Sequence, residues 1–315
     1  MKIFSKSLYD LRQIKARSNV GEVDGIELLI GFRMKEDKDL LHYAKDHFRA
    51  VTLETWDFFY DGAGLDLMSD REDVRETSRR FIDSLMDMTI KYGLFPFSMH
   101  LVSGSVPFRT GDDLNISLKK EEDNLGSLKE YLETAYGGKI DRFCLENCLL
   151  LDFMGGEHVT LCNVGKVLED TVHINGKACF DLSHYAVNFM ICHDAEEGII
   201  RVGERTYPNL IPAKLMEETS KYRKDQLNDY LEDLIARAPA GGIQRFHFLN
   251  MFGTDPGNCE GTIEGKIDLK RMLLAIKKGH PEAAIVPEVT EEDYLNPVKQ
   301  RKILDLVRDM SAPNL

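Results

Sequence analysis

Short apolar runs recur along the chain, and amphipathic stretches separate them. MKIFSKS (1–7) and GIELLI (25–30) open the series, and FRAVTLETW (48–56) alternates apolar and polar positions as a strand does. DREDVRETSRRFIDSLMDMTIKYG (70–93) predicts a helix, with acidic residues at its start, Phe81, Leu85 and Met88 on one face, and Gly93 as a stop. FPFSMHLVSG (95–104) reads as strand and LGSLKEYLETAYGG (125–138) as helix. RFCLENCLLL (142–151), NGKACFDLSHYAV (175–187), GGIQRFHFLN (241–250) and AAIVPEV (283–289) are the later strand-like runs. Helical patterns cover residues 220–239, 267–279 and 296–310, and the charge run KKEEDN (119–124) reads as a solvated helix face. About eight strand–helix units result, the number an α/β fold of the (β/α)8 barrel type requires. The expectation is one barrel over residues 1–315, with a long insertion or lid near 185–222, since loops of that length are often functional.

Composition narrows the picture. The formal net charge of −13 repels a phosphate backbone, and Lys and Arg are dispersed, so nucleic acid is not an expected partner. No apolar run approaches the ~18 residues of a membrane span, and the first residues show no apolar signal core. Six cysteines lie scattered, several in apolar runs, which suits packing in a reducing cytoplasm. The Asn115-Ile116-Ser117 sequon is then a chance match. Phosphate-cradling glycine motifs are absent, so nucleotide cofactors have no support.

The candidate chemistry lies at strand ends. The last four strands carry Glu146, Asp181, His247 and Glu288 toward their C-terminal parts. Strand side chains alternate between faces. Cys144, Glu146 and Cys148 therefore share one face, His247 opposes Phe246 and Phe248, and Ala284, Val286 and Glu288 share another. In a barrel, bulky residues pack outward on helices, while small and functional ones point inward. Three carboxylates and a histidine converging at one mouth raise each other's pKa unless a cation compensates them. Oxygen-rich ligation with one imidazole suits Mn²⁺ first, with Mg²⁺, Co²⁺ or Zn²⁺ as alternatives.

GIELLI, SMHL, CLENC, FDLSH, FHFLN and VPEV, in that order, resemble the xylose-isomerase-like TIM-barrel superfamily from about Gly25 to about Asp309. That group holds sugar isomerases, sugar epimerases, related lyases and the apurinic-endonuclease type. The resemblance implies metal ligation by Glu146, Asp181, His247 and Glu288, with the two glutamates also acting as the acid–base pair. It implies substrate contacts from His184 and His100. Glu260 stands where the family often has a histidine, and Trp56 is a candidate wall for a sugar. Glu27 and Glu54 are open between pocket and structural roles.

The implied function is a divalent-metal-dependent isomerase or epimerase of a sugar-like hydroxy-carbonyl compound, working by proton transfer through an enediolate. Its partner is a small sugar-like molecule; homodimers are common for such barrels, but no interface is legible. The alternatives are a phosphodiesterase of the apurinic-endonuclease type and a degenerate barrel that binds a metabolite. The loop NMFGTDPGNCEGTIEGKID (250–268) offers Asn258 and Glu260 where the endonuclease type has an Asp-x-His pair, and it lacks the arginine of ketohexose epimerases.

Overall fold

The computed structural model describes the chain except at residues 32–33, 57–66, 68–70, 101–113, 148–151, 155–157, 161–176, 196–198, 203–204, 209–212, 252–262 and 312–315. Eight parallel strands close into a barrel. They are β1 (Lys2–Leu8), β2 (Gly25–Gly31), β3 (Ala50–Trp56), β4 (Phe97–His100), β5 (Phe143–Glu146), β6 (Lys177–Asp181), β7 (Ile243–His247) and β8 (Ala284–Val286). Each strand pairs with its neighbours in sequence, and β8 closes on β1 with Ile285 opposite Ile3.

The helices around it are α1 (Leu11–Arg17), α2 (Lys38–His47), α3 (Glu72–Tyr92), α4 (Leu114–Tyr136), α5 (Leu182–Asp194), α6 (Ala213–Thr219), α7 (Leu227–Arg237), α8 (Leu269–Gly279) and α9 (Val298–Ser311). Aspartates cap four of them: Asp10, Asp37, Asp181 and Asp268 each accept a backbone N–H from the first turn of α1, α2, α5 and α8. Gly93 ends α3 in the left-handed conformation at φ 58°. No helix among the described residues is long and apolar enough to cross a membrane.

Two departures from the sequence reading stand out. Residues 185–222 were expected as a long excursion, yet the part up to Asp194 belongs to α5. Every residue of α5 from Leu182 to Cys192 is buried, so the helix is covered all round and shows no amphipathic stripe to read. An antiparallel ribbon (Ile199–Val202 with Arg205–Pro208) and the short α6 follow. The second departure is the β5–β6 connection, where the described residues form another ribbon, Asp152–Met154 with His158–Thr160, and no helix.

The core is divided by the barrel wall. Ile26, Leu28, Ile30, Leu53, Phe97, Met99, Phe143 and Leu145 face outward and pack on α2, α3 and α4. Phe180, Phe246 and Ile285 do the same against α5, α7, α8 and α9. Inside, Phe4, Ala50, Ala284 and Val286, with Phe95, make an apolar layer among the described residues. Other interior positions are polar, including Thr52, Ser98, Arg245 and Glu27.

That small inner layer explains Gly25. A Cβ there would lie 2.7 Å from the Ala50 carbonyl oxygen and 2.7 Å from the Phe4 ring. Both neighbours are held, one by the backbone and one by the packed layer. Gly25→Ala is expected to destabilise the protein by about 1–3 kcal/mol, the cost of overpacking, read as a lower urea midpoint with unchanged slope. A midpoint equal to that of the native protein would show that the Phe4 ring can move aside.

Candidate metal centre

Strand register sets the height of the polar residues. Glu146 ends β5 and lies beside His100 on one side and Cys179 on the other. Asp181 ends β6 and lies beside His247 at the end of β7. Glu288 follows β8 by two residues.

Asn147 and Asp181 show how the local sequence builds this rim. The Asn147 side chain donates to the Asp181 carbonyl at 2.9 Å and accepts the Asp181 N–H at 2.7 Å, which locks the end of β5 to the end of β6. Asp181 is also the N-cap of α5. Its Oδ1 accepts the His184 N–H and the Ser183 hydroxyl, each at 2.8 Å. The cap uses one carboxylate oxygen and turns the other inward. Asp181 Oδ2 is buried, with no hydrogen-bond partner among the described residues. His184, in the first turn of α5, holds the Asn147 carbonyl through Nδ1 at 2.7 Å.

His247 is the hub. Its Nδ1 lies 2.7 Å from Glu146 Oε1, 2.9 Å from Glu288 Oε2 and 3.7 Å from Asp181 Oδ2. Its Nε2 lies 2.8 Å from Glu27 Oε1. Glu27 in turn accepts from Arg245, and Arg245 also reaches the Pro96 carbonyl. Lys6 pairs with both Glu54 and Glu288 and lies 3.7 Å from Glu27. All of these side chains are buried except Glu288, whose side chain is 32% exposed.

Five carboxylates (Glu27, Glu54, Glu146, Asp181 and Glu288) thus face two permanent cations, Lys6 and Arg245. The imbalance shows in proton affinities. Burial would raise Glu27, but His247, Arg245 and Lys6 outweigh it and hold its carboxyl at about 2. Burial likewise opposes ionisation of Glu288, yet Lys6 and His247 keep it well below the usual carboxylate range. Burial and the neighbouring Glu288 charge push Glu54 well above that range despite Lys6. Burial disfavours a charged His247, but Cys179, Glu146 and Glu27 around it raise its pKa strongly.

The arrangement suits a cation. Glu54, Glu146, His247 and Glu288 each offer a donor atom within 4.8 Å of the others, and so do Glu146, Asp181 and His184. An ion among the oxygens that face Nδ1 would also engage the buried Asp181 Oδ2. Cys179 lies in reach of Glu146 and His247. Burial raises its thiol pKa well above the ordinary value, and the other donors are hard oxygens with imidazole.

The fold brings together the four residues read from the sequence as candidate ligands, along with His184. His100 and Trp56 end β4 and β3, but their side chains lie outside the described residues, as does the whole of Glu260. Glu27 and Glu54, left open before, both belong to the cluster. Lys6 and Arg245 were missed. The available signal was the alternation itself, since Lys6 shares the inward face with Phe4, and Arg245 lies two residues before His247.

No protein-family model matches the chain, and no curated protein sequence does. Solved structures do. A D-tagatose 3-epimerase-like protein superposes with a TM-score of 0.58 at 17% identity, covering 99% of this chain and 100% of that one. D-psicose 3-epimerase with D-tagatose, from Clostridium cellulolyticum, gives 0.57 at 13% identity, covering 98% and 99%. Endonuclease IV from Thermus thermophilus gives 0.55 at 13% identity, covering 99% of each chain. At these identities the likeness is one of fold. The chain shares its (β/α)8-barrel fold with these structures.

Proposed function

We propose that the protein is a divalent-metal-dependent isomerase or epimerase acting on a sugar or a sugar-like hydroxy-carbonyl compound. One observation carries the reading: three carboxylates from β5, β6 and the end of β8 surround a single imidazole nitrogen, His247 Nδ1, at 2.7–3.7 Å. Three carboxylate oxygens converging on an imidazole nitrogen in a buried site need a positive charge among them, either a proton on the ring or a metal ion in its place. Glu146, Asp181, His247 and Glu288 would hold the ion, with Mn²⁺ preferred for such oxygen-rich ligation. When bound, it would polarise the carbonyl and adjacent hydroxyl of a substrate as a Lewis acid.

The side chains supply the proton transfers. Glu288 is the most open of the carboxylates and borders a cavity of about 140 Å³ lined by Lys6, Leu8, Leu29 and Thr290. Its depressed pKa keeps it ionised at neutral pH, as a base must be. Glu288 or Glu146 takes the proton from the carbon beside the carbonyl, and the other returns one. Return to the opposite face of the same carbon is epimerisation; return to the neighbouring carbon is isomerisation. His184 is placed to orient substrate oxygens at the Asp181 side of the rim. The segment after α5 is the candidate cover over the mouth. The D-tagatose 3-epimerase-like and D-psicose 3-epimerase structures supply the sugar chemistry at the level of analogy.

A second reading has one observation in its favour. Glu146 and Asp181 also form a group with His184, as a second metal would need, and endonuclease IV shares the fold. The net charge of −13 and the Asn258 and Glu260 loop weigh against phosphodiester chemistry. A salt-dependent shift of abasic duplex DNA at micromolar protein would favour it.

Two outcomes are expected. Chelator-treated protein is stabilised by Mn²⁺, with a gain of about 2.7 kcal/mol at a hundredfold excess over Kd, seen as a rise in Tm. His247→Gln and Asp181→Asn lose most of that rise, and a rise unchanged in both variants would remove the proposed centre. In a screen of ketoses, aldoses and inositol derivatives with Mn²⁺, Glu288→Gln and Glu146→Gln lower turnover by about 10²–10⁴-fold, the usual worth of a general acid or base. Exchange of the substrate's α-hydrogen with solvent deuterium, followed by NMR, checks the step directly. Native-level exchange in both variants would reject the assigned proton transfer.

A further inference from the structure

Glu27 touches no part of the rim where substrate would sit, yet it is fully buried in the barrel interior. It comes from β2, while its partners come from β7, three strands away around the ring. Both of its oxygens are engaged. Oε1 faces His247 Nε2 at 2.8 Å, and Oε2 accepts from Arg245 Nη1. Arg245 is itself fixed from below by the Pro96 carbonyl and is 2% exposed. Arg245 and His247 share the inward face of β7, so one strand presents the clamp and the imidazole to one carboxylate.

The two ring nitrogens of His247 therefore see different surroundings. Nδ1 faces oxygens of Glu146, Glu288 and Asp181. Nε2 faces a single carboxylate, Glu27, at 2.8 Å, whereas Nδ1 lies at 2.7 Å from Glu146 and 2.9 Å from Glu288. A neutral imidazole has one donor and one lone pair, and the group that engages one nitrogen decides the role of the other. A carboxylate can only accept, so without a metal ion both sides of the ring call for a proton. A metal ion among Glu146, Asp181 and Glu288 would take the place of the Nδ1 proton, and Glu27 would keep the proton on Nε2.

We propose that Glu27, clamped by Arg245, is a positioning residue that fixes the Nε2–H tautomer of His247 and so makes Nδ1 the metal-ligating nitrogen. The inference rests on the metal-dependent reading above. It adds to that reading a chain of three buried side chains, Arg245–Glu27–His247, that links β7 to β2. In this reading Glu27 would not itself ligate the ion. It acts by orienting the ring and by increasing the basicity of the ligating nitrogen.

The test uses full-length protein labelled with ¹⁵N-histidine and titrated with Zn²⁺, a diamagnetic probe. The His247 ring signals are assigned by their loss in His247→Gln. The expected result is a proton on Nε2 and a metal-induced shift confined to Nδ1; a proton on Nδ1 with Nε2 shifted would overturn the proposal. Calorimetry with Mn²⁺ supplies the second readout. Glu27→Leu alone would strand a buried guanidinium and endanger folding, so it is paired with Arg245→Met. The double variant is expected to bind Mn²⁺ about 10–100-fold more weakly, the usual effect of losing such a partner. Glu27→Gln, which keeps an acceptor oxygen, is expected to lose less. Native-like affinity in the double variant, with metal still bound at His247, would overturn the role of Glu27 and leave the metal centre standing. If Zn²⁺ moves no His247 signal and calorimetry finds no Mn²⁺ binding in the native protein, the metal reading and this inference both fall.

Discussion

A carboxylate inside a protein must be neutralised, and this barrel carries five of them around one imidazole. Each would cost several kcal/mol if left unpaired in a dry interior. Lys6 and Arg245 compensate part of the charge from within. With His247 they hold Glu27 and Glu288 ionised, while Glu54 is driven toward its neutral form. Glu146, Asp181 and Glu288 are the three carboxylates nearest His247 Nδ1. The demand for a positive charge is therefore local to one nitrogen and three oxygens.

The fold meets this demand by keeping two chemistries apart. Apolar side chains leave the strands outward and form the clusters under the helices, and only a thin apolar layer with Phe4, Ala50, Ala284 and Val286 closes the lower interior. Polar pairing then holds the rim. Asn147 ties β5 to β6, and Asp181 caps α5 with the oxygen the cluster does not use. Asn250 ties the two sides of the loop after β7, accepting from Met251 and Ile267 at 2.9 Å and donating to the Ile267 carbonyl at 2.8 Å. Asn147, His184 and Asn250, which follow Glu146, Asp181 and His247 along the chain, thus hold the rim through backbone hydrogen bonds. The candidate ligands occupy the inward positions that this scaffold leaves over.

Much of this was legible in the sequence, for a definable reason. Period-two alternation survives in short strands, so Glu146, His247 and Glu288 could be set apart from the bulky positions by spacing, while Asp181 followed from its strand-end position and the family resemblance. The helix over Leu182–Asp194 could not be read as such, because a helix buried on all sides has no polar face. The β5–β6 ribbon lay hidden for the opposite reason, since three-residue strands carry too little pattern. Lys6 and Arg245 obey the same alternation as the ligands, but a single basic residue in a strand suggests a solvent-facing tip. Their partners, Glu27 and Glu54, are distant in sequence, and only closure of the barrel brings the charges together.

The disposition of those cations also bears on which chemistry the mouth favours. A phosphodiester substrate needs positive charge directed outward to its oxygens. Here Arg245 turns to Glu27 and a backbone carbonyl, and Lys6 turns to Glu54 and Glu288, so both are committed within the barrel. Glu288, the most exposed of the paired carboxylates, adds negative charge at the opening. Among the described residues of the barrel interior, neither buried cation is therefore free to meet a polyanion.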